Sequence, residues 1–280
     1  MTTTGIVALL AAARRDRVGL GSFNVIALEH AEAIVEGAER AGAPVVLQLS
    51  QNTVAYHRGL APLAAACLAI AASATVPVVV HLDHASDREL VEQAVTLGIT
   101  SVMFDASALE HAANLATTRS VAAWCHERGV AVEAELGEIG GKDGVHAPGA
   151  RTDPVEAADY VERTRVDALA VAVGSSHAML TRDAVLDDAL IAALAERVPV
   201  PLVLHGSSGV PDGGLASAIA HGITKVNLAT TLNQALTAAV RAALDADPSM
   251  VDPRKYLGPG RAAVADEVTR LLTVLRPPKP

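Results

Sequence analysis

Aromatic side chains are almost missing: one Trp, three Tyr and two Phe make up 2% of 280 residues. The core must therefore be packed from Ala, Val, Leu and Ile. Cysteine is scarce too. Cys67 and Cys125 fall in stretches that read as helices, so two reduced core thiols are the better reading than a disulfide, which fits a cytoplasmic protein. Positive charge is in deficit. A net charge of −9 argues against nucleic acid as a main partner, although a local positive cluster could still hold a small phosphate ester. No uninterrupted apolar run is long enough to cross a bilayer, and the first residues lack a signal peptide's basic start and small-residue cleavage site. The expectation is a soluble, cytoplasmic chain with no membrane partner.

What is present is an apolar share of 51% with 19% charged residues, a globular composition long enough for one domain over residues 1–280 with a well-buried core. The chain is organised around Pro77 to His84, Pro-Val-Val-Val-His-Leu-Asp-His. A run apolar on both faces suits a strand of a parallel sheet covered by helices. In such folds the carboxyl end of the strand opens onto the active site, and here that end carries Asp83 and His84.

The same cycle of strand and helix runs through the chain. Strands are expected at 22–25, 45–50, 77–84, 100–105, 130–136, 167–173, 200–204 and 223–227. Helical patterns fall at about 5–15, 28–41, 60–74, 87–97, 109–128, 154–164, 187–196 and 212–220, and the remainder after the eighth strand also reads as helical. Gly42, Gly98 and Gly129 close three of the helices, and Asp153-Pro154 opens another. Eight strands each followed by a helix predict an α/β fold, the (β/α)8 TIM barrel. A doubly wound open sheet would need a switch point and a Gly-rich loop after the first strand, and neither is visible.

Position then singles out candidate residues. Asn24, Ser50, Asp83, His84, Asp105, Glu135, His177, His205 and Asn227 stand at or just beyond the strand ends, one or more per strand. A barrel would gather them at one mouth. Three are imidazoles, and His84, His177 and His205 with an open fourth position match a catalytic zinc arrangement. Each could instead satisfy a local hydrogen bond at a loop start. His81 reads as a buried packing residue, and His30, His57, His111, His126, His146 and His221 as solvated. Gly206-Ser207-Ser208-Gly209 and Leu228-Ala229-Thr230 follow the seventh and eighth strands, where barrels bind phosphate on backbone N–H groups. Of four lysines (142, 225, 255 and 279), Lys225 alone lies on a strand. It is either a Schiff-base nucleophile or, the preferred reading, one half of an ion pair inside the barrel.

These residues resemble the class II, metal-dependent ketose-bisphosphate aldolases, in the tagatose-bisphosphate and fructose-bisphosphate branch. The strings that carry the resemblance are Ser22-Phe23-Asn24, His81-Leu82-Asp83-His84, Val132-Glu133-Ala134-Glu135-Leu136-Gly137, Gly140-Gly141, Thr152-Asp153-Pro154, Leu169 to Ala172, Leu202 to Ser208 and Lys225 to Thr230. The resemblance implies a lyase of carbohydrate metabolism, in glycolysis, that reversibly cleaves a ketose bisphosphate to dihydroxyacetone phosphate and an aldehyde. It implies zinc on His84, His177 and His205, stabilising an enediolate as a Lewis acid. Asp83 would be the acid that protonates the aldehyde oxygen, with Asn227 beside it among the catalytic residues. Asp105 and Glu135 would hold a second cation, divalent or monovalent, or orient the site. Asn24, Ser50, Ala178, Gly206, Ser207, Ser208, Asn227, Leu228, Ala229 and Thr230 would bind substrate, and a homo-oligomer, dimer or tetramer, is implied.

Three departures from the family pattern bear on the sugar. Gly174-Ser175-Ser176-His177-Ala178 stands for Gly-Thr-Ala-His-Gly, so Ala178 adds a methyl where backbone approaches phosphate. The loop after the fifth strand reads Gly140-Gly141-Lys142-Asp143 and is short, and Thr231 replaces an acidic residue. Fructose 1,6-bisphosphate is therefore expected to be a poor substrate, with Arg182 compensating a shifted phosphate. Two other readings stay open: Schiff-base chemistry through Lys225, and a barrel that keeps the metal and binds a sugar phosphate without turnover.

Overall fold

The computed structural model of the protein describes residues 5–136, 151–176 and 181–276. Eight parallel strands close into a barrel in sequence order: β1 (Leu20–Asn24), β2 (Val45–Ser50), β3 (Val78–Ala85), β4 (Ser101–Phe104), β5 (Ala131–Glu135), β6 (Ala168–Ala170), β7 (Leu202–Leu204) and β8 (Ile223–Leu228). Residues 45–49, 78–83 and 223–228 are buried throughout, as a sheet covered by helices requires.

The helices are α1 (Ile6–Asp16), α2 (Leu28–Ala41), α3 (Gln51–His57), α4 (Ala61–Ser73), α5 (Arg88–Thr96) and α6 (His111–His126). They continue with α7 (Pro154–Thr164), α8 (Asp188–Arg197), α9 (Asp212–His221), α10 (Thr230–Ala246) and α11 (Pro253–Val274). Their ends follow local chemistry. Gly42 takes the left-handed conformation that ends α2, and the Asp153 carboxylate accepts from the Val155 and Glu156 amides to start α7. The expected elements are all present, with α3 added. Only Thr53 of α3 is buried, so it carries no apolar stripe; the Ser50 hydroxyl starts it by accepting from the Thr53 amide.

Packing separates the two ends of the barrel. α1 closes the amino-terminal end by laying Ile6, Leu9, Leu10 and Ala13 against Leu20, Val46, Val79, Ala168, Ala170 and Val203. α11 packs against α2 at Gly37, where an added Cβ would sit 2.6 Å from the Ala265 carbonyl oxygen. Cys67 and Cys125 are free and buried, and burial pushes their thiols up to about 12 and about 11, which keeps them protonated and inert. Among the described residues no single helix is long and apolar enough to cross a membrane. The carboxyl ends of the strands are left for the polar residues.

Candidate active site

In a regular strand Asp83 and His84 would point to opposite faces. They do not stay regular. The pairing of β3 with β4 shifts register between Leu82 and Ala85, and His84 has a left-handed backbone with φ 48°. The irregularity turns both side chains to the mouth, where Asp83, His84 and His205 bring one donor atom each within 4.8 Å of one another. His84, Asp105 and Glu135 form a second, overlapping group of the same kind. The His84 and His205 rings meet edge to face with centroids 4.8 Å apart.

Each imidazole is held through one nitrogen by a carboxylate. His84 donates from Nδ1 to Asp105 Oδ2 at 2.7 Å, which makes Nε2 the nitrogen on which a metal could replace a proton. His205 donates from Nε2 to Glu133 Oε1 at 3.1 Å, which leaves it on Nδ1. Metal-binding histidines are oriented in this way. Asp105 is itself pinned by the amide and hydroxyl of Ser107.

The charges seek a cation. Burial disfavours a proton on His84, but the Asp83 carboxylate, the bond to Asp105 and the charge of Glu135 outweigh it and raise its pKa to about 10. Burial likewise works against ionised Asp105, yet His84 and Ser107 hold it well below the usual carboxylate range. His205 moves the other way: burial lowers it and keeps it neutral, as a ligand must be. Asp83 is 2% exposed, and its Oδ1 has no hydrogen-bond partner among the described residues; the same holds for Asn227 Oδ1. Such buried orphans mark places kept for a ligand.

The remaining candidates divide. Ser207 gives its hydroxyl to the Leu204 carbonyl, and Gly206 is left-handed at φ 64°. Ser208 Oγ accepts from the amides of Ala229 and Thr231, so the turns after β7 and β8 share backbone donors at the start of α10. Leu228 is buried and can offer only backbone to a ligand. Asn24 accepts from Gln48 Nε2 at 3.0 Å, and Ser50 is occupied as the cap of α3. His177 and Ala178 lie outside the described residues, as does the loop with Gly140-Gly141-Lys142-Asp143. Gly174 leads into that first segment; its φ of +119° and a Val185 carbonyl 2.5 Å from any Cβ admit no side chain.

Some expectations change. His30 is not solvated but 2% exposed, bonded to Asn233 across to α10, because its ring also accepts the Ala27 amide at the start of α2. Arg182 is committed by three hydrogen bonds, two to the Val210 carbonyl and one to Asp212, which hold it away from the role of a loose phosphate counter-charge. Lys225 follows the ion-pair reading: 1% exposed, it donates to Glu133 Oε2 at 2.7 Å. An ammonium so held has no lone pair for a Schiff base.

Glu133 itself was missed as a site residue, and so was the ring it belongs to. Ser22, Gln48, His81, Glu133 and Lys225 each precede a mouth residue by two and are all buried. Period-two alternation turns them into the barrel, one layer below Asn24, Ser50, Asp83, Glu135 and Asn227. That i−2 spacing was the available signal.

Known proteins resemble this chain over nearly its whole length. Residues 4–277 match the family described as fructose-bisphosphate aldolase class-II. A fructose-bisphosphate aldolase of Thermus caldophilus is 40% identical over 295 residues, covering 96% of each chain. One from Staphylococcus aureus (strain Mu50 / ATCC 700699) is 38% identical over 264 residues, covering 93% of this chain and 92% of the relative. Among solved structures, the YdjI aldolase from Escherichia coli K12 superposes with a TM-score of 0.84 at 31% identity, covering 97% of this chain and 96% of that one.

Proposed function

The chain belongs to the class-II fructose-bisphosphate aldolase family, a family of metal-dependent lyases, and we propose that it holds zinc on His84, His177 and His205 and yields dihydroxyacetone phosphate. It cleaves a ketose bisphosphate. One observation carries the zinc reading: two imidazoles at the mouth are each anchored by a carboxylate through one ring nitrogen, and with Asp83 they bring ligand atoms within 4.8 Å of one another. When bound there, the ion supplies a Lewis acid toward the oxygens of a ketone.

The chain's own groups supply the rest. In cleavage Asp83 takes the proton from the hydroxyl of the carbon that becomes the aldehyde, and in condensation it returns that proton. Its buried Oδ1, without a hydrogen-bond partner among the described residues, is suited to that transfer. Asn227 orients the ketone fragment. Asp105 keeps the His84 ring in place, and Glu135 contributes negative charge to either the first ion or a second cation, divalent or monovalent. Gly206, Ser207 and Ser208 face Asn227, Ala229 and Thr230 across the phosphate position, with Asn24 and Ser50 completing the rim. Ser208 now accepts backbone amides that a phosphate oxygen would share. The enzyme is read as one barrel domain working in the cytoplasm as a homo-oligomer, dimer or tetramer, which its mass in solution checks.

The test is metal content measured alongside turnover of fructose and tagatose 1,6-bisphosphate. About one zinc per chain is expected, lost with activity in His84→Ala and His205→Ala. Ala178→Gly is expected to improve binding of fructose 1,6-bisphosphate, the poorer substrate. Full zinc retention in both histidine variants would sink the assignment of ligands.

A further inference from the structure

Below His205 lies a buried ion pair that the cleavage step does not use. Lys225 Nζ is 2.7 Å from Glu133 Oε2, and the other oxygen of the same carboxylate is 3.1 Å from His205 Nε2. Glu133 is 4% exposed, and Lys225 and His205 are 1% exposed. Stability alone does not explain this arrangement. A buried pair is often matched or bettered by apolar residues of the same volume, such as the Val and Leu that form the floor of the barrel.

The geometry gives the pair a different task. A carboxylate only accepts, so His205 must carry its proton on Nε2 and its lone pair on Nδ1. The competing arrangement would put the proton on Nδ1, facing Glu135 Oε2, but that separation is 3.6 Å, too long for a hydrogen bond. Lys225 takes Oε2 of Glu133, which aims Oε1 at the ring. β5 and β8 supply these two residues at the inward positions next below Glu135 and Asn227, so the support lies directly beneath the mouth. We propose that Glu133, held by Lys225, is the positioning residue that fixes His205 as the Nε2–H tautomer with Nδ1 presented to the zinc. This inference rests on the zinc reading above.

The test uses the full-length protein, zinc-loaded and after chelation. Glu133→Leu with Lys225→Met removes both charges together, so no unpaired ion is left buried. Glu133→Gln with Lys225→Met restores an oxygen that can accept from Nε2. Long-range 1H–15N correlation of His205 is expected to show a protonated Nε2 in wild type and in the Gln/Met variant, and a mixture of tautomers in the Leu/Met variant. Zinc affinity by chelator competition should fall about ten- to a hundredfold in Leu/Met and stay within roughly threefold of wild type in Gln/Met.

A folded Leu/Met variant with wild-type affinity and an unchanged tautomer would overturn the proposal, as would Gln/Met losing as much affinity as Leu/Met. If Leu/Met does not fold, the wild-type spectrum decides, because a protonated Nδ1 there overturns the proposal. Failure of the zinc reading looks different: His205→Ala would keep its metal whatever the tautomer of the wild-type ring.

Discussion

At the amino-terminal end of the barrel, Leu9 and Leu10 of α1 seal a floor of Leu20, Val46, Val79 and Val203, all apolar. At the carboxyl end, Asp83, Glu135, His205 and Asn227 are buried just as deeply, and Asp83 and Asn227 keep side-chain oxygens with no partner among the described residues. The floor is what burial does when stability alone is at stake. The mouth retains costly desolvated groups beside a left-handed His84, an arrangement that fits the proposed substrate and ion completing them. One fold thus keeps its stability and its chemistry at opposite ends of the same strands.

The comparison breaks most visibly through Asp83. Asp83→Ala is expected to lower cleavage by about 10² to 10⁴ in kcat, while zinc content and thermal midpoint hold. A variant within threefold of wild type by steady-state assay would remove Asp83 from the chemistry. The mirror experiment at the floor is Leu10→Ala. Its side chain is 2% exposed, so the cavity should cost about 2–5 kcal/mol in urea unfolding, with kcat/KM of the folded enzyme kept. Loss of activity without loss of stability there would contradict the division of labour.

A finer test concerns the backbone at His84. Both His84→Ala and His84→Gly should abolish zinc binding, but glycine adopts φ 48° without a Cβ clash. The Gly variant should be about 1 kcal/mol more stable than the Ala variant. Equal denaturation midpoints would mean that the mouth stores no backbone strain.

The smallest effect is expected at His30. Burial lowers its pKa, and the bond to Asn233 only partly opposes this. The unfolded chain therefore takes up a proton from about pH 6.5 downward before the folded chain does, and stability present above that pH is lost as the pH falls through the folded value. In His30→Gln the urea midpoint should depend less on pH between about 6.5 and 5. An identical pH profile would mean that His30 titrates alike in the folded and the unfolded chain.

Much of this was legible in the residue order. β-branched runs such as Val78-Val79-Val80, buried on both faces, and glycine stops such as Gly42 determine a strand–helix cycle repeated eight times. Strand ends place Asp83, Asp105, Glu135, His205 and Asn227 at one rim, because all parallel strands point the same way. The short α3 was illegible, since a helix held by one cap and one buried residue leaves no periodic apolar pattern.

What only the tertiary structure decided is which groups work together. Alternation assigns Asp83 and His84 to opposite faces; the register shift against β4 and the left-handed turn at His84, both consequences of strand pairing, bring them to one site. Glu133 and Lys225 are 92 residues apart, and nothing local links them to each other or to His205. Closure of the barrel brings β5, β7 and β8 around one interior, where charges too costly to bury alone must find each other. The residue order therefore determined the barrel and the rim, while the choice of ring nitrogen, ion pair and anchoring carboxylate was left to packing in three dimensions.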